Sequence, residues 1–198
     1  MATRGGAARG LMAAPCLRRQ VIPAGAGLAP LAVGLAMLIG GCTDRAQAPA
    51  AAVELKRLPL DTATGVLTSS GVAFDPTQSV DGKGSLRITA TGPTTVRLYE
   101  LGDIDVDNAR LIYQASLRTE NTQGRVYLEM WCHFAGKGEF FSRGLASAPS
   151  GTTDWTTQET VFFLQPGENP DNVKLNVVMD GPGTAWIDDI KLLRGPLQ

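Results

Sequence analysis

The chain has 198 residues, 43% hydrophobic and 19% charged, with 18 Lys+Arg against 19 Asp+Glu and one histidine. A charge balance this close to neutral excludes the strongly basic surface that phosphate backbones require, so nucleic acid is not an expected partner. Three cysteines cannot supply a disulfide framework.

Residues 1–41 carry Arg4, Arg9, Arg18 and Arg19 with no acidic side chain, then an uncharged run from Val21 to Gly41. That charged-then-apolar layout is the pattern of an export signal. A membrane-spanning helix is the competing reading, but Pro23, Gly25, Gly27, Pro30 and Gly34 interrupt the run, and Gly and Pro are the poorest helix formers. The strongly apolar core shrinks to Leu31–Ile39, the length of a signal peptide rather than of a bilayer span. The run closes on Leu38-Ile39-Gly40-Gly41-Cys42, which resembles a bacterial lipobox. The resemblance implies cleavage before Cys42, a diacylglycerol thioether on its sulfur and an acylated new N-terminus, enough hydrocarbon for a stable membrane anchor. The expected location is the cell envelope. By the same resemblance, Thr43 in place of an aspartate after Cys42 favours the outer membrane if the cell has one. Arg18-Arg19 leaves twin-arginine export open, and Met12 is a second candidate start.

Removing residues 1–41 takes away four basic side chains and no acid, so the remaining 157 residues carry 14 Lys+Arg against 19 Asp+Glu, a net charge of −5 with His neutral. That length suits one domain with a sizeable core. Cys16 leaves with the signal and Cys42 takes the lipid, so Cys132 has no intramolecular partner. Residues 42–52 are Ala-rich, contain Pro49 and hold nothing large to bury; they read as a tether. The expected organisation is a signal peptide over 1–41, the tether over 42–52 and one folded domain over 53–198.

From Val53 onward apolar residues recur at period two, and turn residues interrupt them every eight to twelve positions or so, the pattern of a sandwich or barrel. Strands are predicted over Ser85–Thr89, Thr95–Leu101, Leu111–Arg118, Arg125–Phe134, Thr157–Leu164, Val173–Met179 and Thr184–Leu193. Reversals are predicted at Asp81–Gly84, Asn121–Gly124, Gly136–Gly138, Pro166–Pro170 and Gly181–Gly183, where Gly, Asn and Pro supply the backbone angles of tight turns. About nine strands and no helix give an all-β antiparallel sandwich of two sheets.

Two segments carry a family resemblance. Ser79-Val80-Asp81-Gly82-Lys83-Gly84-Ser85-Leu86-Arg87-Ile88 resembles the early strands of carbohydrate-binding jelly rolls with the galactose-binding-like fold, and Gly183-Thr184-Ala185-Trp186-Ile187-Asp188-Asp189-Ile190-Lys191-Leu192 is similar to their last strand. Together they bracket residues 71–194. The resemblance implies a jelly roll that binds glycan without catalysis. It also implies a structural calcium ion near Asp188 and Asp189, with Asp81 and the Asp75–Lys83 loop alongside, Ca²⁺ taking about six to eight oxygens. The alternative is that one aspartate caps a turn or bulge and the other faces water.

In the strand Arg125–Phe134, Val126, Leu128, Met130, Cys132 and Phe134 fall on one face and Tyr127, Glu129, Trp131 and His133 on the other. If the first face fills the core, the second meets solvent or a ligand. Tyr127 and Trp131 would stand roughly 13 Å apart, able to lie against the C–H faces of a sugar chain while Glu129 and His133 meet its hydroxyls. Equally, a loop around Phe140-Phe141 covers these aromatics as a secondary core. Arg143 is a bidentate donor for a carboxylate or sulfate on a glycan, or else pairs with Glu129 or Glu139.

Catalytic patterns are poor, and an enzyme is not expected. His133 is the one histidine, Cys132 points to the opposite face, and no Gly-x-Ser-x-Gly, Cys-x-x-Cys or His-Glu-x-x-His motif occurs. Three readings stand: a lipid-anchored glycan-binding domain; a structural or protein-interaction lipoprotein whose aromatic strip meets an envelope protein; and a small glycan-active enzyme using Glu129 and Glu139 as an acid/base pair.

Overall fold

A computed structural model describes residues 51–197. The expected signal peptide, the lipidation of Cys42 and all but the end of the tether lie outside the described residues.

Alternation of apolar and polar side chains builds nine strands: β1 (Val53–Leu58), β2 (Val72–Asp75), β3 (Ser85–Ala90), β4 (Thr94–Gly102), β5 (Ala109–Phe134), β6 (Gly138–Arg143), β7 (Ser150–Leu164), β8 (Asn172–Met179) and β9 (Gly183–Pro196). Every pairing between them is antiparallel. One sheet runs β2-β3-β9-β5-β7, with β1 on β9 beyond the end of β3. The other runs β4-β8-β5-β6. The fold is the predicted all-β sandwich.

The two sheets share β5. Its first half pairs with β7 and β9, and its second half with β6 and β8. The reversal predicted at Asn121–Gly124 is therefore a corner inside one long strand. The register with β7 slips repeatedly between Leu117 and Arg125, and Asn121 and Gly124 take positive φ angles of 52° and 101°. Such bulges bend a strand sharply enough to carry it from one sheet to the other.

The alternating inward residues form one core. Leu111, Tyr113 and Leu117 before the corner meet Leu128, Met130 and Cys132 after it, together with Leu86 and Ile88, Val96 and Leu98, Leu175 and Val177, and Ile187. Cys132 is fully buried, and burial pushes its thiol up to about 12. The outward face of β9 is covered as well. Trp186 donates from Nε1 to Asp75 Oδ2 (2.9 Å) and lies under the Arg118 guanidinium (5.6 Å to the ring centroid), while the Val80 N–H reaches Asp188 Oδ2 (2.8 Å). As the resemblance implied, the Asp75–Lys83 loop lies against the last strand.

The β8–β9 turn is clamped to the corner of β5. Gln123 N–H donates to the Pro182 carbonyl (2.8 Å), and a Cβ built on Gly181 would stand 1.9 Å from the Gln123 carbonyl oxygen. Only a residue without a side chain permits that approach. Gly181→Ala is therefore expected to destabilise the protein by about 1–3 kcal/mol, the usual range for overpacking, read as a lower urea midpoint at unchanged m-value.

Candidate functional site

The outer face of the β4-β8-β5-β6 sheet is a set of cross-strand rows. Register places Arg97, Asn176, Glu129 and Arg143 side by side, and in the next row Lys174, Trp131 and Phe141. An open cleft of about 470 Å³ lies over them, lined by Thr95, Arg97, Glu129, Trp131, Glu139, Arg143, Lys174 and Asn176. That is the size of a small-ligand site.

Glu129 is its hub. Only 4% exposed, it accepts from Trp131 Nε1 (2.8 Å) and Asn176 Nδ2 (3.1 Å) on Oε1 and from Arg143 Nε (2.7 Å) on Oε2. Burial pushes its carboxyl upward, but the bonds from Trp131, Arg143 and Asn176 outweigh that and hold it below its ordinary value. The same bonds fix the indole: Trp131 is tied on its N–H edge and supported by Phe141, ring centroids 4.9 Å apart at 42°. Phe141 in turn lies under the Arg143 guanidinium, 4.6 Å from its centroid. Across the cleft Lys174 pairs with Glu139. The result is a half-buried aromatic surface, held rigid and ringed by hydrogen-bonding groups.

The predicted row is split by this arrangement. Its aliphatic neighbours fill the core as expected, and Glu129, Trp131 and Arg143 line the cleft. Tyr127 is only 6% exposed, its ring beneath Arg125 (5.9 Å to the centroid), which is salt-bridged to Asp180 (3.0 Å). It does not line the cleft, so the expected open Tyr127–Trp131 pair is not formed. His133 is engaged elsewhere, its Nδ1 2.5 Å from Asp171 Oδ1. Arg143 pairs with Glu129, one of the two partners anticipated for it. Thr95, Arg97, Lys174 and Asn176 were not identified from sequence. They sit on β4 and β8, whose places in this sheet are set by pairing alone, although the outward parity of Arg97, Lys174 and Asn176 was readable.

The donors expected for calcium are committed to protein partners. Asp188, 1% exposed, accepts the Val80 and Asp189 backbone N–H groups (both 2.8 Å). Asp189 pairs with Arg57 and Lys191 (both 2.7 Å), and Asp81 with Lys83 (3.1 Å). Among the described residues no three His, Cys, Asp or Glu side chains converge as a metal site. Asp188 caps the bulge at Asp189, whose φ is 49°.

A second, smaller recess of about 190 Å³ lies between β6 and β7, lined by Phe134, Lys137, Phe140, Phe162, Phe163 and Glu168. Phe140 and Phe163 are about half exposed there.

Neither a protein-family model nor a curated protein sequence matches the chain. Solved structures do. The CBM22-1 xylan-binding domain of Paenibacillus barcinonensis Xyn10C is 16% identical with a TM-score of 0.52, over 75% of this chain and 100% of that one. The CBM22-1–CBM22-2 tandem of the same protein gives 16% and 0.55 over 76% of this chain and 47% of that one. The CBM22-1–GH10 modules of Clostridium thermocellum xylanase 10B, complexed with xylohexaose, give 11% and 0.52 over 74% and 29%. At these identities the likeness is one of fold: the chain has the β-sandwich of carbohydrate-binding modules.

The Glu129 network makes a pH prediction. A carboxyl whose folded pKa is depressed stabilises the fold at pH values above its unfolded pKa and loses that contribution as pH falls through the folded value. Urea midpoints of the wild type should fall across the acid side of the ordinary carboxylate range. Glu129→Gln should cost about 1–3 kcal/mol at neutral pH, as for hydrogen bonds to a charged group, and the gap should close as the pH drops.

Proposed function

We propose that this protein is a non-catalytic carbohydrate-binding lipoprotein of the cell envelope, with its ligand in the cleft over Trp131. The observation that carries the reading is the indole pinned by Glu129 and Phe141 in a cleft otherwise lined by polar side chains. Such a surface offers a flat apolar face to sugar C–H groups and charged or amide groups to its hydroxyls, and it requires little ordering on binding. The sandwich shared with the xylan-binding domain supports this reading.

The chemistry of Glu129 disfavours the glycosidase reading. A general acid must hold a proton near its working pH, whereas both Glu129 oxygens accept hydrogen bonds and its carboxyl is held ionised. Glu139, its supposed partner, is engaged by Lys174. The Phe140–Phe163 recess favours a second reading, contact with an envelope protein, since exposed aromatics in one apolar recess are a usual mark of such surfaces.

Lipid anchoring at Cys42 rests on the Leu38–Cys42 motif, and the envelope location on the same motif. The Ala-rich residues after Cys42 would let the β-domain stand off the lipid surface.

In affinity electrophoresis of the full chain against a panel of polysaccharides, Trp131→Ala is expected to weaken retention at least about tenfold, equivalent to about 1.4 kcal/mol, with no sugar released by the wild type. Sugar release abolished by Glu129→Gln would establish the enzyme instead. Labelling of expressing cells with a palmitate analogue should mark the wild-type chain and not Cys42→Ser. Equal labelling of both would remove the anchor.

A further inference from the structure

The charges of the cleft do not cancel. Arg97, Arg143 and Lys174 face Glu129 and Glu139 across it. Glu129 is neutralised by Arg143 and Glu139 by Lys174. Arg97 uses its backbone N–H on Thr68 Oγ1 (3.0 Å), but its guanidinium has no hydrogen-bond or ion-pair partner among the described residues. Arg143 spends Nε on Glu129, and its side chain, stacked over Phe141, remains 40% exposed with no further hydrogen bond or ion pair from its terminal nitrogens among the described residues.

The two guanidinium groups bracket the floor of the cleft. Arg97 and Arg143 belong to one cross-strand row with Asn176 and Glu129 between them, about 14 Å apart at the backbone for three strand spacings. Trp131 stands one row along, roughly 10 Å across and 7 Å down from Arg97 by the same spacings. A chain of sugar rings that runs from the indole toward β4 would come within reach of the Arg97 guanidinium.

Granting the glycan reading of this cleft, on which this inference rests, we infer that the ligand is an anionic glycan, its carboxylate or sulfate groups held by Arg97 with the spare donors of Arg143. Guanidinium presents paired N–H groups matched to both anions, and a charge-assisted bond is about twice as strong as the bond a neutral hydroxyl makes. Of the carboxylates on this face, Glu129 and Glu139 each carry a cation; Glu100, which shares the row of Lys174 and Trp131 on β4, has no ion-pair partner among the described residues but lies outside the cleft lining. The wider acidic balance of the chain weighs little, since fields are screened beyond about 8 Å at physiological salt.

The test is affinity electrophoresis of the full chain, purified in mild detergent, through native gels containing polygalacturonate, chondroitin sulfate or neutral xylan, at low and raised salt. Retention by an acidic polymer is expected to exceed that by xylan at least about tenfold and to weaken as salt rises. Arg97→Gln should abolish the preference and Arg97→Lys restore part of it. Lys56→Gln, an exposed cation on β1 outside the cleft, should leave it intact. Retention by only one acidic polymer supports the inference and assigns the group as carboxylate or sulfate. Equal, salt-insensitive retention of acidic and neutral polymers, or a preference that survives Arg97→Gln, overturns the inference while leaving glycan binding in place. Absence of retention by every polymer, with a β-sheet circular dichroism spectrum intact, overturns the glycan reading itself.

Discussion

β5 is hydrogen-bonded along both edges for most of its length, first between β7 and β9 and then between β6 and β8. Because it belongs to both sheets, its corner sets the angle at which they face one another and the register of everything paired to it. A slip of one residue in its second half would turn Trp131 and Glu129 inward and expose Leu128 and Met130. That alternative is strongly penalised: four large side chains of that half, Val126, Leu128, Met130 and Cys132, are all but fully buried. The hydrophobic core and the outward face are thus two consequences of the same period-two pattern, and the site inherits its rigidity from the core.

On that face a single carboxylate organises the polar groups. A buried charge is costly unless its hydrogen bonds are complete, and Glu129 meets the condition by drawing three donors from β5, β6 and β8 onto its two oxygens. Each donor is thereby oriented: the indole by its N–H, the Asn176 amide by its Nδ2, the Arg143 guanidinium by its Nε. A surface tied down in this way has little conformational entropy left to lose. Satisfying Glu129 internally also commits both of its oxygens to protein donors.

The parts of the fold legible in sequence are those whose two faces differ. β3, β4 and β8 largely alternate buried with less buried side chains, the second half of β5 alternates apolar with polar or aromatic ones, and the predicted strands match them closely. β1, β2 and β6 were missed because none of their side chains is fully buried, which leaves only a weak periodic signal. The reversal predicted at Asn121–Gly124 became a corner for a different reason. Positive-φ residues permit either outcome, and the choice between them depends on whether the flanking strands pair with each other or with β7, β8 and β9.

The site divides in the same way. Trp131, Glu129 and Arg143 were legible from strand parity and side-chain chemistry, and the partnership of Glu129 with Arg143 was among the expected pairs. The burial of Tyr127 was not, because Arg125 and Asp180 come over it from the corner and from the end of β8. Nor were Arg97, Lys174 and Asn176, which lie dozens of positions from Trp131 along the chain. By itself the sequence determined which residues point in and which point out, because side-chain direction in a strand depends only on position along it. Which outward residues share a row, and so which charges are paired and which guanidinium is left free, was decided by tertiary structure alone, because strand order is set by long-range hydrogen bonding.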